Sequence, residues 1–387
     1  MLKRIFSTGH NRPLRIGFDA KWFFSGNPSG RVIVRNILDQ WLTKPGPHEF
    51  YIFLKKEDRF MDFPYHGPHI HPVYVWGRIN LLSNLLVVPF KARSLKLDAV
   101  IFQYFSPLFS HFKRIVFIND AIYRSHPEYF TLTERLYFLP IRFLARHAHR
   151  VCTISDAEKR RLVRYKFSKE ELIDVIHLGV DRCFKARPEQ DPIALAEVIS
   201  TYRLPEKFLL YVGRLNARKN LVSLIKSLAL LKDGSIPLVL AGAYDWKMFD
   251  LGPLIGELGI GHRVIFTGFV EEGHLPALYS LAEIFCYVSF DEGFGLPPLE
   301  AMASGVPVVV ANSGSLPETC GDAGNYVDPF DPADITRAID LLLADRDLYE
   351  KQRNRGLERA GRFSWEESAG KLLTVCRETV PLPIPKT

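Results

Sequence analysis

Two glutamates, Glu292 and Glu300, have seven residues between them in the stretch Phe290-Asp-Glu-Gly-Phe-Gly-Leu-Pro-Pro-Leu-Glu300. Upstream, Ile284 to Ser289 reads as a buried strand. Downstream, Pro297 to Ser304 reads as a short helix that proline opens and Gly305 closes. A strand that runs through a glycine turn into a helix aims backbone N–H groups at one point, which suits an anionic oxygen. Carboxylates beside a phosphate are unfavourable unless they bind hydroxyls. A ligand with both phosphate and many hydroxyls meets that condition, and a nucleotide-sugar is the obvious candidate. The spacing alone is common on charged surfaces, so its meaning depends on what accompanies it.

Arg214 and Lys219 lie on the loop between the strand Leu209-Leu-Tyr-Val-Gly213 and an amphipathic helix that starts at Asn220. A nucleoside diphosphate gains negative charge as its bond to a sugar breaks, and two fixed cations stabilise that charge without a metal. The plain alternative is a solvated basic loop that includes Arg218. Earlier in the chain, Phe24-Ser-Gly-Asn-Pro-Ser-Gly30-Arg31 joins a strand to a helix. Asn119-Asp120 follows the strand Ile115–Ile118; Asn119 can donate and accept hydrogen bonds but carries no titratable proton. His126 is read as structural before it is read as a proton carrier. Asp345-Arg-Asp347 lies among C-terminal helices and is read as solvated charge, and no metal site is expected.

The elements that position these residues alternate between short apolar strands and helical segments, the pattern of parallel α/β architecture. Strands are expected at Leu14–Phe18, Phe50–Leu54, Ala99–Phe102, Ile115–Ile118, Val151–Ile154, Ile173–Ile176, Phe208–Val212, Leu238–Ala241, Val264–Phe266, Ile284–Val288 and Val306–Val310. The 387 residues suit two domains. The boundaries expected are 1–185, 186–365, and a C-terminal helix and tail over 366–387 that packs back toward the first domain. Leu178 to Glu206, rich in proline and charge, reads as the linker region, and Pro381 to Pro385 as a frayed end. Residues 1–185 hold 30 Lys and Arg against 16 Asp and Glu, within a net charge of +7 for the whole chain. A basic half suits an anionic membrane face or an acidic substrate; no nucleic-acid module is visible. Basic residues from Arg135 to Lys169 interleave with apolar ones from Leu136 to Leu144, as on a face that rests on lipid or over an ordinary core. Five scattered cysteines without Cys-x-x-Cys spacing exclude a disulfide framework and a zinc site. No run reaches the length of a membrane span and no signal-peptide core is read at the N-terminus.

Taken in order, these motifs resemble the retaining glycosyltransferases of family four. The likeness also covers Leu238-Val-Leu-Ala-Gly242, Phe266-Thr-Gly-Phe-Val270, Gly314-Ser-Leu-Pro-Glu318 and Phe363-Ser-Trp365. It implies the GT-B fold, two Rossmann-like doubly wound α/β domains that face one another across a cleft. It also implies metal-independent transfer of a hexose, mannose from GDP-mannose first, to a glycan or lipid-linked acceptor in bacterial polysaccharide synthesis. No cofactor is implied. By the same resemblance Glu300 binds the ribose hydroxyls, and Glu292 lies by the transferred sugar. Gly293, Phe294, Gly295 and Leu296 offer backbone N–H groups, Arg214 and Lys219 hold the diphosphate, and Gly213, Gly30 and Asn119 complete the donor site. Pro28 stands where the family's first loop glycine is usual, and Asn119 where a histidine is usual. Both departures leave open a catalytically impaired nucleotide-sugar-binding or scaffold protein, and a nucleotide-sugar epimerase on the same fold is a separate alternative. The expected location is cytoplasmic, or peripheral at the inner face of the membrane.

Overall fold

In the computed structural model, residues 12–244 and 250–381 are described. They divide into two compact units, one of residues 12–124, 130–177 and 365–381, the other of residues 125–129 and 178–364. The change of unit at Leu178 falls at the start of the stretch expected to be a linker. That stretch is not unstructured: it contains the helix Pro192–Tyr202, which Asp191 caps by accepting from the Ile193 N–H.

The first unit is built on β1 (Arg15–Asp19), β2 (Glu49–Lys55), β3 (Ile70–Val75), β4 (Ala99–Gln103), β5 (Lys113–Phe117), β6 (Arg150–Thr153) and β7 (Ile173–Val175). All pair in parallel, in the order β3-β2-β1-β4-β5-β6-β7. The helix Trp365–Thr379 belongs to this unit and packs on the helix Pro28–Thr43. There the Trp41 indole donates to the Ala369 carbonyl at 2.9 Å. Of the tail expected to follow that helix, residues 382–387 lie outside the described residues.

The second unit has β8 (Leu209–Val212), β9 (Leu238–Ala241), β10 (Val264–Gly268), β11 (Ile284–Tyr287), β12 (Val308–Ala311) and β13 (Gly324–Val327). Its sheet is also parallel throughout, in the order β10-β9-β8-β11-β12-β13. Both sheets are therefore doubly wound. Chain direction across the sheet reverses between β1 and β4 in one and between β8 and β11 in the other. At such a reversal the loops that leave the two strands diverge, and a crevice opens at their carboxyl ends.

Central strands carry apolar residues on both faces because helices cover both sides: β4 is Ala-Val-Ile-Phe-Gln and β12 is Val-Val-Val-Ala, every residue buried. Two strands were not expected from the sequence, β3 (Ile-His-Pro-Val-Tyr-Val) and β13 (Gly-Asn-Tyr-Val). Each is the outermost strand of its sheet. An edge strand is only partly covered and tolerates proline and polar residues, so it shows no continuous apolar run.

Candidate functional site

The second unit's reversal point holds the residues singled out by type and spacing. β8 ends at Val212, Gly213 and Arg214 follow it, and a short turn, Ala217–Lys219, leads to the helix Leu221–Leu230. Asn220 is left-handed at that junction (φ +57°). Its side-chain amide donates to the carbonyls of Val288, at 3.1 Å, and Pro329, at 2.6 Å. One side chain thus ties together the loops that follow β8, β11 and β13.

From β11 the chain runs through Phe290–Gly295 into the helix Leu296–Ala303. Gly295 takes φ +107°, and a side chain there would meet Leu316 at 2.9 Å. Because Pro297 and Pro298 have no N–H, the donors at this end come from the turn itself, Gly293 to Leu296. The turn is held from beneath by the motif that begins at Gly314. Ser315 donates to the Glu292 carbonyl through its backbone N–H at 3.2 Å and its hydroxyl at 3.0 Å. Gly314 lies so close that a Cβ would stand 2.7 Å from the Glu292 nitrogen.

Glu292 is buried, and two cations meet its carboxylate. Lys219 Nζ lies 2.6 Å from Oε1 and Arg218 Nη1 lies 3.0 Å from Oε2. Arg218 also donates to the Asp291 carbonyl, and its own carbonyl accepts from the Phe290 N–H at 3.0 Å. Lys219 hydrogen-bonds the Tyr287 hydroxyl and sits 4.6 Å from that ring's centroid. Burial pushes the Glu292 carboxyl up, but Arg218 and Lys219 together outweigh it and bring it down to about 2. The carboxylate is therefore ionised across the physiological range.

Glu300 is in the opposite state. Burial pushes its carboxyl up to about 7; the hydrogen bond from the Tyr279 hydroxyl, at 2.8 Å, acts the other way, and the nearby Asp181 adds to the rise. The two glutamates of one motif thus titrate far apart, which is how neighbouring carboxyls are given different tasks.

Lys219 reaches Glu292, whereas Arg214 is exposed at the mouth of the loop. The second cation on Glu292 is Arg218, which the sequence presented only as part of a basic loop. Tyr287 and Tyr279, the phenols that touch Lys219 and Glu300, lie in an apolar strand and an apolar helix and gave no signal. His126 belongs to this unit as well: its imidazole lies 3.4 Å from Asp291 Oδ2 and 3.0 Å from Glu128. Beside it Tyr129 stacks on Phe290, and Phe290 on Phe330. Asp345 caps the helix Arg346–Ala360.

Gly30 and Asn119 belong to the first unit. Gly30 is buried in the first turn of the helix Pro28–Thr43, where a Cβ would stand 2.5 Å from the Trp22 ring. Packing against Trp22 therefore requires glycine there. Pro28 opens the same helix and Asn27 caps it, so the proline fits a helix start. Asn119 is buried past β5, and its side-chain oxygen has no hydrogen-bond partner among the described residues. The side-chain nitrogen of Gln103 and the hydroxyl of Ser106, past β4, are in the same condition. At the end of β1, Lys21 is buried between Asp19 and Asn84, at 2.6 Å from each. Burial pushes its ammonium down.

Two units, each a parallel doubly wound sheet, are the architecture of the GT-B fold. Residues 198–359 match the family Glycosyl transferases group 1, and the chain is similar to bacterial mannosyltransferases. It is 36% identical over 222 residues to O-antigen chain mannosyltransferase B of Escherichia coli, a match that covers 54% of this chain and 58% of that protein. The chain thus spans little more than half the length of that relative. Among solved structures it is similar to sucrose-phosphate synthase from Thermosynechococcus elongatus, with a TM-score of 0.73, 23% identity, and coverage of 94% of this chain and 98% of that one. It is also similar to HepE of Anabaena in complex with UDP and glucose, with a TM-score of 0.71, 19% identity, and coverage of 94% and 99%. At these identities the likeness is one of fold.

Proposed function

We propose that the chain is a retaining, metal-independent glycosyltransferase. It moves a hexose, mannose from GDP-mannose in the first instance, to a glycan or lipid-linked acceptor. The observation that carries this reading is the pairing of Glu292 with Lys219 and Arg218 at the second sheet's reversal point. Two cations held side by side at that point can take the charge of a departing diphosphate. Glu292 pairs with both of them; a bound diphosphate would share them and leave the carboxylate beside the sugar. There it faces the positive charge that develops at the reacting carbon. The bond from that carbon to the diphosphate oxygen breaks as the acceptor oxygen attacks from the same face. The acceptor's proton passes to the departing phosphate. Arg214, exposed on the same loop, is assigned to the outer phosphate.

Glu300 is assigned to the ribose, whose two hydroxyls donate to an ionised carboxylate. In the first unit the unpartnered oxygen of Asn119 is suited to accept from a sugar hydroxyl. Gly30 is assigned to the backbone approach to phosphate. Mannose is chosen because the Escherichia coli relative is named a mannosyltransferase, although the neighbour HepE was solved with UDP and glucose. A lipid-linked acceptor places the reaction at the cytoplasmic surface of a bilayer. The test is nucleoside diphosphate release from GDP-, UDP- and dTDP-sugars with a mannose-terminated acceptor, the product's anomeric configuration being read by NMR. Release that requires acceptor, is insensitive to chelator and retains configuration is expected. Acceptor-independent epimerisation, or no turnover with any donor, contradicts the reading.

A further inference from the structure

We propose that the outer faces of two helical segments of the first unit form a docking surface for an anionic lipid bilayer. The proposal draws on the lipid-linked acceptor only for its purpose; the surface itself is a separate property. The helix Leu132–Arg146 buries Ile141, Leu144 and Ala145. Projected down its axis, Leu132, Leu136, Leu139 and Phe143 fall within about 60° of one another on the side opposite those residues. All four are exposed, Leu132 by 66%. A helix at a water surface needs one apolar face, and this one has two.

The segment from Asn80 to Ser94 repeats the arrangement. It is helical throughout, with a π turn at Ser83–Val87. Ser83, Asn84, Val88 and Ala92 are buried, while Leu82, Leu86 and Phe90 face outward, Phe90 by 73%. Both segments cover the same core cluster around Val116 and Ile118: one through Leu81 and Leu85, the other through Phe138, Ile141 and Leu144. The loop past β4 packs on the same cluster through Leu108 and leaves Phe109 exposed by 88%. Single exposed apolar residues are ordinary; periodic ones on neighbouring segments mark a surface that something covers.

Charge identifies the occupant. Residues 76–94, 104–112 and 130–147 hold six Lys and Arg and one acid, Glu134. That acid is engaged in the helix's own cap, where it accepts from Thr131. Arg135, Arg142 and Arg146 run along one flank of the leucine stripe. Apolar side chains with arginines beside them suit the boundary between acyl chains and anionic headgroups. A second copy of the chain would present the same positive face, and like charges would oppose that contact. No helix among the described residues is long and apolar enough to cross a membrane.

The experiment uses the full chain with vesicles of phosphatidylcholine alone or with about a third phosphatidylglycerol, by co-sedimentation at low and high salt. Binding to the anionic vesicles is expected, weakened by salt. The double substitution Leu136→Ser and Leu139→Ser should weaken it about tenfold or more, and Arg135→Ser with Arg142→Ser should remove the preference for anionic lipid. Equal binding to neutral vesicles, no binding, or unchanged binding of the leucine variant overturns the proposal. So does a dimer in gel filtration that the leucine variant dissolves without any change on vesicles. Nucleotide-induced thermal shifts show that the variants are folded. Transfer to a soluble acceptor should persist in them, so a failed docking surface and a failed transferase reading give different results.

Discussion

At the scale of single residues, the site is a set of charges whose partners decide what each can do. Glu292 is held ionised by the buried Lys219 and the half-buried Arg218, so its stabilisation is complete above the ordinary carboxyl range, near 4.5, and lost as pH falls toward about 2. The shift corresponds to roughly 3 kcal/mol at neutral pH. Glu292→Gln removes that contribution and leaves Lys219 and Arg218 without their counter-charge. The variant should melt lower, and a nucleoside diphosphate, by supplying the missing charge, should raise its melting temperature more than it raises the wild type's. Turnover should fall about a hundredfold while nucleotide affinity does not weaken. A melting temperature equal to the wild type's contradicts the pairing. Glu300 behaves the other way. Raised to about 7, it disfavours the folded state once deprotonated, so stability falls as pH rises from 4.5 to about 7 and levels off above that. Ribose hydroxyls need the ionised form. Donor affinity should therefore increase between pH 5.5 and 7.5, with proton release on binding, and both effects should vanish in Glu300→Gln. Calorimetry in buffers of different ionisation enthalpy checks this. The glutamates and Lys219 stood out in the sequence because a glycine turn between strand and helix marks where charge is useful. Arg218 did not, since a loop holding Arg214, Arg218 and Lys219 gives no periodicity from which to read the one that turns inward.

At the scale of elements, the central strands were legible, as were the outermost β7 and β10, whereas the outermost β3 and β13 were not. Burial on both faces writes an apolar run into β4 and β12, whereas β3, with His71 and Pro72, and β13, with Gly324 and Asn325, are partly covered and carry no such run. The bracing of the site was equally hidden. Asn220 read as the start of a helix and Ser315 as part of a short motif, and neither reading showed that its side chain fixes a neighbouring loop far off in the chain. Asn220→Ala strips a buried donor from the Val288 and Pro329 carbonyls and places alanine at positive φ. A loss of about 2–4 kcal/mol is expected. Chemical denaturation should show it, together with weaker nucleotide binding; an unchanged midpoint would sink this account of the junction. The stretch 178–206 begins at the change of unit, and its proline and charge also mark a helix start: Asp191-Pro192 opens a helix there.

At the scale of the whole molecule, the chain builds two parallel sheets with one topology, then returns its last helix to the first of them. Trp365, Leu372, Val375 and Cys376 of that helix are buried. Truncation after Ser364 should therefore speed hydrogen exchange in the helix Pro28–Thr43, which loses its partner at Trp41, and leave β8 to β13 protected. Two doubly wound units could be read from strand order, because alternating apolar strands and helices admit few other arrangements. Which surfaces face outward could not: the leucine stripe of Leu132–Arg146 looks, as sequence, like any core face. The account rests on a diphosphate meeting Lys219 and Arg218 at the second sheet's reversal point. The measurement that tests it most directly is calorimetric titration of GDP and UDP into the wild type, Lys219→Ala and Arg218→Ala. At least one nucleotide should bind the wild type and lose about tenfold or more in affinity in each variant. Binding that both variants retain in full, or none to the wild type, would contradict it.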